Sequence, residues 1–460
     1  MSDACIINGR IIDPANNIDE VGNLFITDGK ITSISHQSSV TVGARSPRRN
    51  TPAKTPHGVG NLKKHPSKNT PTETGNFFYD AMGQVVAPGL IDMHVHLREP
   101  GFEHKETIAT GTAAAAAGGF TSVACMANTS PVIDTPEKIT QIYDIAEATA
   151  KTNVFPFGSI TKDLAGEELT DMRGMHSAGA VGFSDDGVTV MNAALMRDAL
   201  ALSAELGFPI MVHCEEHNLN AGAVMNLGET SRKLGLIGSP NAAEDIIVAR
   251  DIMLAEMTGG HLHVLHVSTA GAVRLIRQAK RRGVHVTAEA CPHHWILTDT
   301  EVEKQGTNAK MHPPLRRQTD IDAIIKGLCD GTIDAIATDH APHSPSEKAQ
   351  GMLEAPNGII GLETCLPLVF TYLVQPGHLT LEEVIAKMTV IPANILGIDR
   401  GTLSVGAVGD VTVIDIDSVH PVDVTKSCSK SRNTPFTGWE LKGWQMITLR
   451  GGKLTVNSYQ

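Results

Sequence analysis

The stretch Ile91-Asp-Met-His-Val-His-Leu-Arg-Glu-Pro100 sets two histidines, His94 and His96, and one arginine, Arg98, at alternate positions. Side chains at i, i+2 and i+4 of an extended strand share a face. The pattern therefore predicts two metal-ligand candidates beside an anion-binding group. An H-x-H pair alone fits a core or surface pair better than a ligand pair, so its meaning depends on the rest of the chain. Further along, Asp185-Asp186, His213, His266, and Asp339 with His340 and His343 each follow a short β-like run. Histidine nitrogens and carboxylate oxygens without thiolates suit Zn²⁺ in a catalytic site, with Mn²⁺ and Co²⁺ open by ligand type. A carboxylate shared between two ions would make the site binuclear.

These residues need a frame that brings strand ends together. Residues 85–400 alternate β-like and helical runs, with strands predicted at 85–92, 120–126, 153–158, 180–184, 208–213, 261–267, 284–289 and 333–339. Helical patterns such as 194–206 lie between them. Eight such units predict an α/β architecture, a (β/α)₈ TIM-type barrel, whose reactive groups gather at the C-terminal ends of the strands. Residues 1–84 and 401–460 are short-stranded, with Asn-Gly and Asp-Gly hairpin signals. Together they predict a smaller β-sandwich domain built from both chain termini. Within the first of them, residues 41–76 carry seven basic residues against Glu73 and almost no large apolar side chain. That composition predicts a disordered basic insertion.

The whole chain has 460 residues, 41% hydrophobic and 19% charged, with a formal charge of -12. That balance fits a soluble protein with a large core and argues against a nucleic-acid-binding surface. Seven cysteines are scattered without a CxxC pair, which fits reduced thiols better than a disulfide framework. No signal peptide or membrane-spanning run is evident, so a cytoplasmic location is expected.

The motifs combine into a specific resemblance. His94-Val-His-Leu-Arg-Glu-Pro-Gly, Glu106-Thr, Gly118-Gly-Phe-Thr, Gly182-Phe-Ser-Asp-Asp-Gly, Pro209-Ile-Met-Val-His-Cys-Glu, His266-Val-Ser-Thr, Pro313-Pro-Leu-Arg, Ala337-Thr-Asp-His-Ala-Pro-His and Gly361-Leu-Glu-Thr resemble the amidohydrolase superfamily. Within it they are similar to the bacterial-type (class I) dihydroorotases, over residues 5 to 450 apart from 41–76. The resemblance implies a zinc-dependent cyclic amide hydrolase with one or two Zn²⁺ per subunit. Its reaction would be the reversible closure of N-carbamoyl-L-aspartate to L-dihydroorotate, in pyrimidine synthesis. It implies that His94, His96 and Asp339 hold the more buried metal, and that Asp186 bridges to a second held by His213 and His266. Asp339 would be general base and then general acid. His96, Arg98, Asn128, His312, His343, Asn357 and Gly358 would contact substrate, Arg98 pairing with its carboxylate.

Two positions depart from the family pattern. His312 stands where asparagine is usual, and Pro356-Asn-Gly358 where Pro-Phe-Gly is usual. The Pro-Asn-Gly version resembles hydantoinases and dihydropyrimidinases, so a hydantoinase or allantoinase is the second enzyme reading. A third is an inactive relative that scaffolds aspartate carbamoyltransferase. A homo-oligomer, with aspartate carbamoyltransferase as a candidate partner, is expected. His261, His263, His285, His293 and His294 are read as structural or supporting residues.

Overall fold

A computed structural model describes residues 4–36 and 77–458. The basic insertion expected at 41–76 lies outside the described residues. Two sheets organise the chain. The terminal sheet takes β1 (Ala4–Asp13), β2 (Ile18–Thr27), β3 (Lys30–His36), β4 (Phe77–Asp80) and β5 (Val85–Pro88) from the first part of the chain. The barrel follows with β6 (Leu90–Val95), β7 (Phe120–Cys125), β8 (Asn153–Pro156), β9 (Phe183–Ser184) and β10 (Ile210–Val212). A small excursion carries β11 (Met225–Asn226) and β12 (Gly238–Ser239) before the barrel resumes with β13 (Leu262–Val264), β14 (Val286–Ala290) and β15 (Ala335–Ile336). The last strands, β16 (Val411–Pro421), β17 (Glu440–Arg450) and β18 (Lys453–Asn457), return to the terminal sheet in the order β18-β17-β16-β5-β1-β2-β3, with β4 beside β1.

The eight barrel strands are parallel and the ring closes. Ladders join β6 to β7 to β8 and β9 through β10, β13 and β14 to β15, while single bridges Gly158–Phe183 and Val95–His340 complete the circle. Asp92 staples the closing seam, its carboxylate accepting from the backbone N–H of His94 (3.1 Å) and of Thr338 (3.2 Å). Helices such as Ala193–Leu206 separate the strands. That helix starts where the Asn192 side chain accepts from Ala194 N at 2.9 Å, and ends on Gly207 at φ 82. Ile91, Met93, Ala124, Met211, Leu265 and Ala335 fill the barrel floor against Ala393 and Leu396. Among the described residues no helix is long and apolar enough to cross a membrane.

Two sequence expectations need correction. The run 85–92 is two strands: Val85–Pro88 pairs with β1 and β16 in the terminal sheet, so the boundary expected at 84/85 falls at Pro88-Gly89. Both strands are buried on all sides, so no change of hydrophobic period marks the junction. A Cβ on Gly89 would sit 2.1 Å from Thr121 Oγ1, which is why glycine makes the turn. Asn8-Gly9, read as a hairpin signal, is instead a bulge inside β1. There Gly9 admits Val86, whose Cγ2 would lie 2.4 Å from a Cβ.

Candidate metal and substrate site

Each predicted ligand leaves the C-terminal end of a barrel strand, as the fold requires. His94 is the fifth residue of β6 and His96 follows it; Asp186, His213, His266 and Asp339 follow β9, β10, β13 and β15. All six are buried. Arg98 reaches the same place by a different route from the one expected. It lies beyond the end of β6 with φ 64, so a turn and not a shared strand face brings it in. His266 and Asp339 also adopt positive φ, 31 and 48. Three strained non-glycine residues in one site mark a backbone bent to aim side chains.

The donor atoms form two groups around one carboxylate. Asp186 Oδ2 lies 3.5 Å from His94 Nε2 and 3.3 Å from His96 Nε2, while Asp339 Oδ1 lies 3.6 and 3.1 Å from the same two nitrogens. Asp186 Oδ1 faces the other way, 3.6 Å from His213 Nδ1 and 3.4 Å from His266 Nε2. A tetrahedral ion with ligand bonds of about 2.1 Å spaces its ligand atoms by roughly 3.4 Å. The side chains fit that spacing. His94 Nε2 and Asp186 Oδ1 are buried without a hydrogen-bond partner, a cost of about 1–3 kcal/mol each that a cation would remove. Burial opposes the charge on Asp186, but the positive field of His94 and the nearby ring nitrogens of His213 and His266 outweigh it and hold the carboxyl well below its usual range.

Supporting residues fix these orientations. Glu289 accepts from His94 Nδ1 at 2.5 Å and meets His263 Nε2 at 3.2 Å. Asn128, expected against the substrate, accepts from His96 Nδ1 at 3.0 Å and donates to the Asp186 carbonyl at 3.1 Å. Its amide is committed at both ends, to the His96 ring and to the Asp186 backbone, although it also lines the cavity. The sequence reading missed Glu289 as the partner of His94; a single charged residue in an otherwise uncharged strand, Val286-Thr-Ala-Glu289-Ala, was the available signal. Of the Asp185-Asp186 pair only Asp186 enters the site. Asp185 accepts from Ile160 N (2.7 Å) and Thr161 N (3.1 Å) in the preceding loop. His340 also turns away, its Nδ1 accepting from Gly361 N at 3.1 Å.

Beside these side chains opens a cavity of about 340 Å³ walled by Arg98, His312, His343, Asn357 and Gly358, with His96, Asp186, His213, His266 and Asp339 at its base. Every expected substrate contact therefore reaches one space. Burial lowers the Arg98 guanidinium to about 10, still charged at neutral pH, and its Nε donates to the Pro342 carbonyl at 3.2 Å. His343 Nε2 donates to the Asn357 carbonyl at 2.7 Å, while Lys105 Nζ donates to its Nδ1 at 3.4 Å. Burial and then the charges of Arg98 and Lys105 push His343 far below its usual pKa, so it is neutral. His312 contacts the carboxylate of Glu215, a second residue the sequence reading did not single out, and packs edge-on against His213 with ring centroids 4.8 Å apart.

The chain is similar to known proteins over nearly its whole length. A family model described as "Dihydro-orotase-like" matches residues 83–272. The chain is 50% identical over 451 residues to a dihydroorotase of Pelotomaculum thermopropionicum, covering 98% of both chains. It is 49% identical over 453 residues to a dihydroorotase of Geobacter sp. strain M21, covering 98% of this chain and 99% of that one. Among solved structures, the L-hydantoinase (dihydropyrimidinase) of Arthrobacter aurescens is 25% identical with a TM-score of 0.82, over 99% of this chain and 96% of that one. The dihydropyrimidinase of Brevibacillus agri, at 22% identity and a TM-score of 0.80 over 100% and 96% of the two chains, shares the fold. Near-full-length identity of about one half outweighs the more distant structural likeness, and the chain belongs to the dihydroorotase family.

Proposed function

We infer that this chain catalyses the reversible ring opening of L-dihydroorotate to N-carbamoyl-L-aspartate, with zinc ions held by the histidine–carboxylate group. His94, His96, Asp186 and Asp339 would hold one ion, and Asp186, His213 and His266 a second. Bound there, divalent metal supplies a water acidic enough to ionise near neutral pH and a Lewis acid for the amide carbonyl. Asp339 takes the proton of the attacking water on its carboxylate and returns it to the leaving amide nitrogen. In cyclisation the same transfer runs in reverse. Arg98 pairs with the substrate carboxylate, a contact that a planar guanidinium makes through two parallel N–H bonds. His312, the Asn357-Gly358 backbone and His343 would border the ring, and His96, which would help hold the metal, lines the same cavity.

The observation that carries this reading is the charged Arg98 in the wall of the cavity whose base is the histidine–carboxylate group. Neutral cyclic ureides such as hydantoin offer that cation no anionic partner. Steady-state assays on dihydroorotate, hydantoin and allantoin test it: dihydroorotate is expected to be the preferred substrate, and its absence from the turnover profile contradicts the reading. An inactive scaffold would be metal-free on elemental analysis, whereas zinc is expected. Self-association and binding to aspartate carbamoyltransferase belong to the same family reading, and light scattering with and without that enzyme tests both.

A further inference from the structure

Two buried lysines hold the loop that walls the cavity from outside the metal site. Lys348 is 6% exposed, and its Nζ donates to the carbonyls of Pro356 (3.0 Å), Gly358 (3.1 Å) and Lys310 (3.4 Å). Lys310 Nζ donates to the Ala355 carbonyl at 2.6 Å. With His343 on the Asn357 carbonyl and Asn433 on that of Gly358 (3.0 Å), all four carbonyls of residues 355–358 are tied down. In a trans peptide the N–H points opposite to the C=O. Because Lys348 holds the Pro356 carbonyl, the Asn357 N–H is directed the other way, and it makes no hydrogen bond among the described residues. Pro356, Asn357 and Gly358 all line the substrate cavity.

An ammonium has three donors and no acceptor. The three carbonyls around Lys348 use all of them. Burial, and after it the charge of Lys310, pull the Lys348 ammonium down to about 7. Keeping a cation there is costly, and an apolar side chain would fill the space but leave the carbonyls free to turn.

We propose that Lys348 is the positioning residue of the substrate loop: its carbonyl bonds set the Pro356–Asn357 peptide so that the Asn357 N–H meets an oxygen of the cyclic ureide. The inference rests on the cavity being the dihydroorotate site. Lys310 clamps the same loop one residue earlier.

Lys348 also lines a second cavity of about 320 Å³ with Thr307, Asn308 and Arg432, which gives a small amine a way in. In Lys348→Ala the KM for dihydroorotate is expected to rise about tenfold or more, with kcat falling less than about threefold. Propylammonium chloride should restore much of the affinity, while tetramethylammonium, charged but without N–H donors, should not. A KM within about twofold of wild type overturns the inference, and so does failure of propylammonium to outperform tetramethylammonium. If the variant does not fold, the wild-type protein decides: N-carbamoyl-L-aspartate should slow hydrogen exchange of the Asn357 amide, and unchanged exchange overturns the inference. Wild-type turnover of dihydroorotate, measured alongside, separates failure of this inference from failure of the functional reading.

Discussion

Glu289 holds His94 by its Nδ1 at 2.5 Å, and so turns the other ring nitrogen toward Asp186 and Asp339. An imidazole that donates through one nitrogen presents a lone pair at the other, and a carboxylate acceptor raises the basicity of that lone pair. Removing the carboxylate in Glu289→Ala should weaken zinc affinity on the order of 10–100-fold. Competition against a chromogenic chelator measures this, and affinity equal to wild type would show that the contact does not orient the ligand.

Arg98→Ala should lower kcat/KM for dihydroorotate on the order of 10–100-fold, the value of a charge-assisted pair lost from a buried site. Any residual activity on hydantoin should be unaffected. Parallel losses on both substrates would mean that Arg98 supports the cavity wall instead of reading a carboxylate.

Asp339→Asn keeps the shape of the side chain and removes its capacity to take a proton. It should reduce kcat about 10²–10⁴-fold while leaving the thermal midpoint close to wild type. A variant that retains most of its turnover would remove Asp339 from the proton transfer.

The core carries a pH dependence of its own. Burial raises the Asp251 carboxyl from 3.8 to about 6, against the opposing charge of Arg250, whose Nε donates to it at 2.8 Å. The folded state therefore holds this proton more tightly than the unfolded chain. The resulting stabilisation is complete below the unfolded value and is lost as pH rises through about 6. Asp251→Asn should remove that slope, so wild type should lose up to roughly 3 kcal/mol relative to the variant between pH 4 and 7. Calorimetry of the two proteins across that range would show parallel curves if Asp251 ionises freely in the fold.

Much of the site was legible because a parallel barrel converts strand ends into one rim. His94, Asp186, His213, His266 and Asp339 all follow apolar runs that the sequence marks well. Arg98 was legible as a neighbour of the histidine pair, and it does line the same cavity, though its strand-face argument fails at φ 64. Local sequence cannot show where a strand stops and a strained turn begins. Nor can it divide Asp185 from Asp186, since the two differ only in which way a loop turns. Glu289 and its partner His94 are 195 residues apart and meet only when the ring closes. Val85–Pro88 and Leu90–Val95 merged in sequence for a similar reason, because burial on both faces erases the period that would separate two sheets.

Titration of the metal-free protein with zinc, following dihydroorotate hydrolysis and bound metal together, tests the central claim most directly. If Asp186 bridges two ions, hydrolysis should stay low on loading the first site and rise as the second fills, and Asp186→Ala should abolish both the second binding step and the activity. Full activity without bound metal, or zinc binding with no turnover of dihydroorotate at any loading, would contradict the account.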